Sequence, residues 1–266
     1  MIRVGVIGAC GKMGRMVCAA IARDPELILV AAIDREHIGQ PIGPLVGYPD
    51  VKVPISDELD TVLQAEVEVV VDFTNPDSVM ENVGWAVGHA VHIVVGTTGV
   101  TDQQLEEIRG QLESEGDESN VFIAPNFALG AALAERFAVE AARYFPAVEI
   151  VELHHDAKVD APSGTALHAA RRIVEERGEA FRGPDAESIE GARGGDMEGV
   201  RIHSVRLPGL VAHEEIIFGG LGQTLTIRHD CMDRISFMPG VLMAVKAVST
   251  RPGLTVGLDA LLGLDG

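Results

Sequence analysis

The densest group of chemically useful side chains lies at residues 152–166, which read E-L-H-H-D-A-K-V-D-A-P-S-G-T-A. This segment contains two imidazoles, His154 and His155, and the ammonium group of Lys158. Histidine exchanges protons near neutral pH, and lysine adds a compact positive charge. A segment with these groups can bind a small anionic molecule and protonate it.

The end of the same segment predicts the start of a helix. Ser163 follows Pro162 and suits the N-cap position, and the backbone amides of Gly164 and Thr165 would then face a carboxylate at the positive end of the helix dipole. Each residue also has an ordinary structural interpretation, because serines often cap helices and lysines are usually solvated. The cluster, rather than any one residue, indicates a binding site.

The charge balance of the chain limits its partners. The 266 residues include 40 acidic and 21 basic side chains, which gives a formal net charge of -19. Such a field repels nucleic acid and anionic membrane surfaces, so neither is expected as a partner. A small anionic substrate needs local cations or a helix N-terminus, and the segment at 152–166 offers both.

The cysteines and the apolar runs indicate where the protein acts. The three cysteines are odd in number and lack metal-ligand spacing, so we expect neither a disulfide framework nor a bound metal. The N-terminus has no long apolar signal region, and no run reaches the roughly 18 apolar residues of a membrane span. These features predict a cytoplasmic protein.

Short apolar runs alternate with helix-like stretches in the first half of the chain, which predicts an α/β fold with a Rossmann-like, doubly wound parallel sheet. The predicted strands are residues 2–7, 27–33, 67–73, 91–95 and 121–124, and the predicted helices are 13–23, 77–87 and 102–112. Residues 37–54 are rich in Gly and Pro and are interpreted as a long loop.

The pattern changes after residue 126 and predicts a second, α+β domain. Helix-like stretches at 129–144 and 166–177 surround a strand at 147–153, and strand-like runs at 200–207, 213–218 and 223–229 predict an antiparallel or mixed sheet. A glycine-rich stretch at 182–199 separates the two groups. Residues 233–248 read as one helix, and 253–266 as a short apolar tail.

Three glycines predict a dinucleotide site after the first strand. Gly8, Gly11 and Gly14 form G-x-x-G-x-x-G between a predicted strand and helix, and Asp34 follows about 20 residues later at the end of the second strand. Asp34 could accept a hydrogen bond from a ribose 2′-hydroxyl, and the adjacent Arg35 could pair with a 2′-phosphate, so use of both NADH and NADPH is expected. The alternative is a plain glycine turn in another α/β protein.

Two further strand ends could frame a nicotinamide. G-T-T-G at residues 96–99 and A-P-N-F at 124–127 follow predicted parallel strands, where ligands bind in open sheets. Thr and Asn also hydrogen-bond to local backbone in turns and caps, so the two interpretations stay open.

The sequence as a whole closely resembles the 4-hydroxy-tetrahydrodipicolinate reductase family, also called dihydrodipicolinate reductase. The resemblance rests on H-H-D-A-K-V-D-A-P-S-G-T-A, together with G-A-C-G-K-M-G, G-T-T-G, A-P-N-F and A-R-G-G-D-M-E-G in the same order. It implies NAD(P)H-dependent reduction of the dihydrodipicolinate skeleton to tetrahydrodipicolinate, in lysine biosynthesis through diaminopimelate.

The resemblance also implies individual roles. His154 would donate or accept a proton, Lys158 would donate one, His155 and Ser163 would contact the substrate, and Gly164 with Thr165 would hold a substrate carboxylate. The implied cofactor contacts are Gly8, Ala9, Cys10, Gly11, Lys12, Met13, Asp34, Arg35, Gly96, Thr97, Thr98, Ala124, Pro125, Asn126 and Phe127. Lys12 stands where many relatives carry Arg, which keeps the charge but changes its geometry.

The family's architecture implies a homotetramer and two domains. Residues 1–126 plus 236–266 would bind the dinucleotide, and residues 127–235 would bind the dicarboxylate substrate and form the oligomer. The nearest enzymatic alternative is another two-domain dehydrogenase, such as one acting on amino-acid semialdehydes.

The same residues allow two other classes of protein. A metal hydrolase could use His154, His155, Asp156 and Asp160, but neighbouring residues on a strand point to opposite faces. An NAD(P)H-binding regulator without catalysis would leave the His-Lys-Ser-Gly-Thr cluster unexplained.

Overall fold

The computed structural model describes residues 1–97, 99–115, 118–179, 181, 183 and 186–263. The chain divides into two compact units. The first contains Met1–Phe127 together with the chain from Phe237 onward, and the second is Ala128–Ser236. In the described residues, no helix is both long enough and apolar enough to cross a membrane.

The first unit is a parallel sheet flanked by helices. Its strands are β1 (Ile2–Ile7), β2 (Leu27–Ile33), β3 (Ile55–Ser56), β4 (Val69–Asp72), β5 (His92–Val95), β6 (Asn120–Ile123) and β12 (Gly253–Val256). Its helices are α1 (Lys12–Arg23), α2 (Ile42–Leu45), α3 (Asp60–Gln64), α4 (Pro76–Gly88), α5 (Asp102–Glu115) and α8 (Met238–Ala247).

The strand order explains where this unit can bind a ligand. The order β3-β2-β1-β4-β5-β6-β12, with parallel pairing throughout the described residues, confirms the predicted Rossmann-like, doubly wound sheet. β4 and β5 are almost wholly buried because helices cover the sheet on both faces, which fits their runs of Val and Ile. The order reverses between β1 and β4, where such sheets bind ligands at the strands' carboxyl ends.

The prediction of a featureless loop at residues 37–54 was wrong in part. The four-residue helix α2 forms there, and Pro41 and Pro54 form an isolated bridge. β3 and α3 were also missed, because strands and helices of two to five residues are too short to show a hydrophobic period.

The end of the chain also differs from its sequence prediction. Residues 233–248 are not one helix, since a 3-10 turn at Arg234–Phe237 precedes α8. Pro239 lies in the first turn of α8, where its missing N–H breaks no helical hydrogen bond. The predicted tail contains β12, which pairs with β6 and extends the sheet.

A glycine in the first helical turn of α1, Gly14, is required because the backbone packs closely there. A Cβ on Gly14 would lie 2.0 Å from the carbonyl oxygen of Gly8. We therefore expect Gly14→Ala to lower the free energy of unfolding by about 1–3 kcal/mol in urea titrations. Gly110→Ala, inside α5 with no atom within 4 Å of its added Cβ, should instead stabilise by up to about 1 kcal/mol. Equal stability of Gly14→Ala and wild type would contradict this packing.

The second unit packs two helices on a mixed sheet. Its elements are α6 (Leu129–Ala142), β7 (Ala147–His154), α7 (Gly164–Glu176), β8 (Gly195–Met197), β9 (Val200–Arg206), β10 (Ala212–Gly220) and β11 (Gln223–Cys231). The strand order is β11-β10-β7-β9-β8, in which β7 and β9 run parallel and the other pairs antiparallel. The predicted mixed sheet is confirmed, whereas β8 in the glycine-rich stretch was missed.

The core of this unit sets the orientation of β7. Val148 and Ile150 are buried in one cluster with Ala166, Ala170 and Ile173 from α7. Because side chains alternate along a strand, every second residue of β7 continues this row. Glu152 and His154 therefore lie at the end of the row that faces the helices.

Candidate active site

His154 is the last residue of β7, and its imidazole is held by a buried carboxylate. Its Nδ1 lies 2.6 Å from Oε2 of Glu152. The His154 side chain keeps 15% of its surface exposed, whereas Glu152 is fully buried. The structure thus places one histidine nitrogen against an acceptor and leaves part of the ring accessible.

Glu152 binds more than the histidine. Arg206 on β9 donates from Nη1 to Oε2 at 2.8 Å and from Nη2 to Oε1 at 2.7 Å, which is a bidentate ion pair. The backbone N–H of Ser163 donates to Oε1 at 3.1 Å. Neither Glu152 nor Arg206 was predicted from the sequence as a site residue. The one available signal was an acidic residue in the buried row of an alternating strand.

Burial and neighbouring charges set the titration of this pair. Burial alone would raise the pKa of the Glu152 carboxyl, but hydrogen bonds from Arg206, Ser204 and His154 hold the pKa below its ordinary value. Burial lowers the pKa of His154, and the positive charges of Lys158 and Arg206 lower it further, against the opposing effect of Glu152. The free protein therefore carries an ionised Glu152 and a neutral His154 at neutral pH.

Lys158 and His155 lie in the loop that follows β7. The Lys158 ammonium is 2.8 Å from Oδ1 of Asp160, and its side chain is 21% exposed. A hydrogen bond from Lys158 lowers the pKa of the Asp160 carboxyl. His155 is half-buried, and its carbonyl accepts the N–H of Lys158 at 3.2 Å. The loop therefore holds an accessible cation next to the His154 strand end.

The structure confirms Ser163 as the N-cap of α7. Its hydroxyl accepts the N–H of Ala166 at 3.2 Å, and its backbone is extended. Gly164 and Thr165 are the first two residues of the helix, where amides have no intrahelical acceptor. A Cβ on Gly164 would meet no described atom within 4 Å. Open space next to these amides suits an anionic ligand.

In the first unit, the glycine turn leads into a helix that has no side-chain cap. Gly8 adopts a positive φ of 78°, which favours glycine, and its carbonyl accepts the N–H of Gly11 at 3.1 Å. Gly11 is the N-cap of α1 and provides no side-chain acceptor. Lys12 and Met13 form the first turn of α1, and Ala9 is fully buried beneath it. The N-terminus of α1 is thus open to an anion.

Asp34 lies directly beside this turn. Its Oδ2 accepts the N–H of Cys10 at 2.8 Å, and its Oδ1 accepts the N–H of Glu36 at 3.0 Å. Arg35 is exposed and forms no ion pair with a described residue. Burial, followed by the charge of Asp34, raises the pKa of the Cys10 thiol to about 11, so the thiol is neutral. Asp34 therefore also has a structural role, which is to hold the turn.

The residues that follow β5 pack against residues at and just after the end of β4. A Cβ on Gly96 would lie 2.1 Å from the Phe73 ring, so the packing of this ring alone explains the glycine. The Thr97 hydroxyl lies 3.4 Å from Oδ1 of Asp72. Asp72 is fully buried at the end of β4, and was missed in the sequence. The assignment of Thr98 lies outside the described residues.

Residues 124–127 line the end of β6. Ala124 and Phe127 are buried, whereas Pro125 is exposed and Asn126 is partly buried. The Phe127 ring lies 6.0 Å from that of Phe73, measured between centroids. The strands β1, β4, β5 and β6 are neighbours and run parallel. Their carboxyl ends, and the turn that follows β1, therefore lie at the same edge of the sheet.

No group of three or more His, Cys, Asp and Glu side chains in the described residues is arranged to hold a metal ion. In particular, His154 is engaged with Glu152 and Asp160 with Lys158. These contacts give no support to the metal-hydrolase alternative.

Comparison with known proteins identifies the family. The family model described as "Dihydrodipicolinate reductase, N-terminus" matches residues 2–127, and "Dihydrodipicolinate reductase, C-terminus" matches residues 130–262. The chain belongs to the dihydrodipicolinate reductase family. The predicted resemblance is thereby confirmed over nearly the whole chain.

Individual members of this reductase family match the chain along nearly their full length. The chain is 52% identical over 267 residues to 4-hydroxy-tetrahydrodipicolinate reductase of Nocardia farcinica, covering 99% of both chains. It is 49% identical over 265 residues to the enzyme of that name from Mycolicibacterium gilvum, covering 99% of this chain and 100% of the relative. The structure of dipicolinate-bound dihydrodipicolinate reductase from Paenisporosarcina sp. TG-14 matches with a TM-score of 0.86 and 41% identity, covering 98% of this chain and 99% of that one.

Proposed function

We propose that this protein catalyses the reduction of 4-hydroxy-tetrahydrodipicolinate or dihydrodipicolinate to tetrahydrodipicolinate, with NADH or NADPH as the reductant. Membership of a pyridine-nucleotide-dependent reductase family supports the reaction class. The observation that carries the substrate assignment is the grouping of His154, Lys158 and the open N-terminus of α7 around one strand end. In a chain of charge -19, this group provides the cations and amides that a dicarboxylate needs.

The residues at the edge of the parallel sheet fit a dinucleotide. The N-terminus of α1 has no side-chain cap, and the glycines of the preceding turn allow a pyrophosphate to approach the backbone. We assign Asp34 to the ribose hydroxyls and the exposed Arg35 to the 2′-phosphate of NADPH. When bound, the dihydronicotinamide supplies a hydride.

The second unit would hold the substrate and move a proton. Lys158 and the amides of Gly164 and Thr165 bind the carboxylates, and His155 and Ser163 complete the contacts. As a hydride reaches the ring, electron density moves toward the ring nitrogen, so the ring must also take up a proton. His154 carries that proton at Nε2, because Nδ1 is bound to Glu152. Lys158, whose charge acts on His154, is the donor that returns a proton to His154.

The pH profile should separate the free protein from its substrate complex. Burial and two nearby cations keep the pKa of His154 below its ordinary value in the free protein, and a bound dicarboxylate should raise this pKa. If protonated His154 is the donor, activity falls as pH rises through that pKa. We therefore expect the descending limb of kcat to lie at higher pH than that of kcat/KM. Coincident limbs would contradict the assignment.

Asp34→Ala should weaken binding of NADH more than binding of NADPH. Only the unphosphorylated ribose offers a 2′-hydroxyl to the carboxylate, whereas NADPH keeps its phosphate contact with Arg35. Binding titrations with both nucleotides measure the difference. Asp34 also anchors the amide of Cys10, so some loss is expected for both. An equal loss would mean that Asp34 holds the turn and does not bind the ribose.

We also propose a cytoplasmic homotetramer, as the family resemblance implies. The three cysteines are free and buried, which suits a reducing compartment. On β7, β9 and β10, half-buried Val151, Leu153, Val205 and Ile217 lie on the sheet face opposite the helices and could pack against other copies. Sedimentation equilibrium should give four times the chain mass of 28.2 kDa, and a stable monomer would contradict this state.

The catalytic proposal is tested by mixing the purified full chain with freshly generated 4-hydroxy-tetrahydrodipicolinate and either NADH or NADPH. Loss of nicotinamide absorbance should depend on both enzyme and substrate, and added dipicolinate should inhibit it. Cofactor binding without substrate-dependent oxidation would favour a regulatory binder, and no oxidation with either nucleotide would overturn the proposed reaction.

A further inference from the structure

We propose that Glu152 is a positioning residue that orients His154 and fixes which nitrogen of its ring faces the substrate. An ionised carboxylate can only accept hydrogen bonds, so the 2.6 Å contact requires a hydrogen on Nδ1 of His154. Nε2 is then left to carry the proton that is transferred. The inference rests on the proposed function, because it assigns Glu152 a part in that reaction.

The pairing of β7 with β9 places Arg206 next to Glu152 and His154. Glu152 and His154 are two residues apart on β7 and therefore share a face. On the parallel neighbour β9, Ser204 lies opposite Glu152 and Arg206 lies opposite His154. Arg206 can thus reach back to both carboxylate oxygens, which fixes the plane of the carboxylate.

The same carboxylate reaches the start of α7. Its Oε1 accepts the N–H of Ser163, which caps the helix whose first amides we assign to the substrate carboxylate. Glu152 therefore fixes the proton carrier on β7 relative to the anion-binding turn. A displacement of about 1 Å between such groups can reduce catalysis 10²-fold. The contacts of Glu152 would keep His154 and the start of α7 at the spacing that the reaction requires.

Packing alone does not account for a carboxylate at this position. Val148 and Ile150 occupy the preceding positions of the same buried row. An apolar residue would continue that row, and replacing a buried ion pair with apolar side chains is often neutral or stabilising. Glu152 instead occupies a fully buried position that requires several donors to offset its desolvation.

The charged groups around the pair set the expected response to pH. Glu152 on β7 opposes the lowering of the His154 pKa by burial, Lys158 and Arg206. Across the sheet on β10, Glu214 lies opposite Glu152. Burial, then the charges of Glu135 and Glu152, raises the pKa of Glu214 to about 7. Because the charge of Glu152 raises the pKa of His154, removing that charge should lower this pKa.

The test compares Glu152→Gln with Glu135→Gln. Glu135 on α6 is a matched control, because it also contacts a histidine and an arginine, His168 and Arg172 of α7. It lies neither at the end of β7 nor on the sheet face that we assign to contacts between copies. We expect Glu152→Gln to lower kcat at least about tenfold, with KM for the nucleotide within about twofold of wild type. The descending pH limb of Glu152→Gln should move to lower pH, whereas Glu135→Gln should match wild type in both measurements. A Glu152→Gln enzyme with an unmoved limb, even if less stable, would overturn the proposal.

A second measurement uses the wild-type protein and does not depend on the folding of a variant. In protein labelled with nitrogen-15 histidine, the His154 signals are identified by their loss in His154→Gln. Above the pKa, we expect Nδ1 to be protonated and Nε2 to be bare. The opposite tautomer in an active enzyme would overturn the role of Glu152 alone, whereas absence of substrate-dependent oxidation by wild type would overturn the proposed function.

Discussion

His154→Gln should lower kcat at least about 10²-fold, which is the usual contribution of a side chain that transfers a proton. Glutamine has a similar reach but cannot take up or release a proton near neutral pH. Its amide can still donate to Glu152, so the buried carboxylate keeps a partner in place of Nδ1. The loss should therefore fall on turnover, while binding of NADH and NADPH stays close to wild type.

His168→Gln is the matched control for this result. His168 on α7 also contacts a glutamate, Glu135, at 3.3 Å, but lies outside the proposed site. We expect it to keep wild-type turnover. Circular dichroism and urea unfolding should show that both variants fold. A folded His154→Gln enzyme within about threefold of wild type would show that His154 is not the proton carrier.

Lys158→Ala should reduce kcat/KM by about 10²-fold or more, because it removes both a proton donor and the cation next to the substrate carboxylate. Lys158 is already paired with Asp160 at 2.8 Å, so its loss leaves an uncompensated carboxylate where an anion must bind. KM for the substrate should therefore rise as kcat falls. Steady-state kinetics at varied substrate concentration measure the two effects separately.

Lys158→Arg distinguishes the two roles of this side chain. Arginine keeps the positive charge but does not release a proton under ordinary conditions. We expect it to restore much of the substrate KM while kcat stays low. Lys52→Ala, which removes an exposed lysine of the first unit, should have no effect. Full turnover in Lys158→Ala, within about threefold of wild type, would exclude a catalytic role.

Hydrophobic periodicity predicted the larger elements of the fold. The runs of Val and Ile at β4 and β5 are buried, and the period of two along β7 matches its buried row. Short elements could not be predicted from periodicity, because a two-residue strand such as β3 is too short to show a period. β12 was missed because its pairing with β6 joins segments more than a hundred residues apart.

The candidate site was predictable only where its residues are neighbours in sequence. His154, Lys158 and Ser163 lie within ten residues, so their combination was visible. Arg206 could not be associated with Glu152, because 54 residues separate them and only the pairing of β7 with β9 brings them together. Asp72 was hidden for the same reason, since two of its partners, Asn82 in α4 and Thr97 after β5, come 10 and 25 residues later.

Gly96 illustrates how a motif can suggest a ligand contact when packing also accounts for it. Its place at a strand end predicts a cofactor contact, but the ring of Phe73 occupies the space that a Cβ would need. Gly164 is the reverse case, because a Cβ there would meet no described atom. Packing explains the first glycine, and the second leaves free space next to the helix amides that we assign to the substrate.

Transfer of deuterium from the cofactor to the product tests the central claim most directly. The purified chain is mixed with nicotinamide cofactor deuterated at both C4 positions and freshly generated 4-hydroxy-tetrahydrodipicolinate, and the product is analysed by mass spectrometry. The proposed reaction predicts tetrahydrodipicolinate that carries one deuterium for each cofactor oxidised. Cofactor oxidation that yields unlabelled product, or no tetrahydrodipicolinate at all, would contradict it.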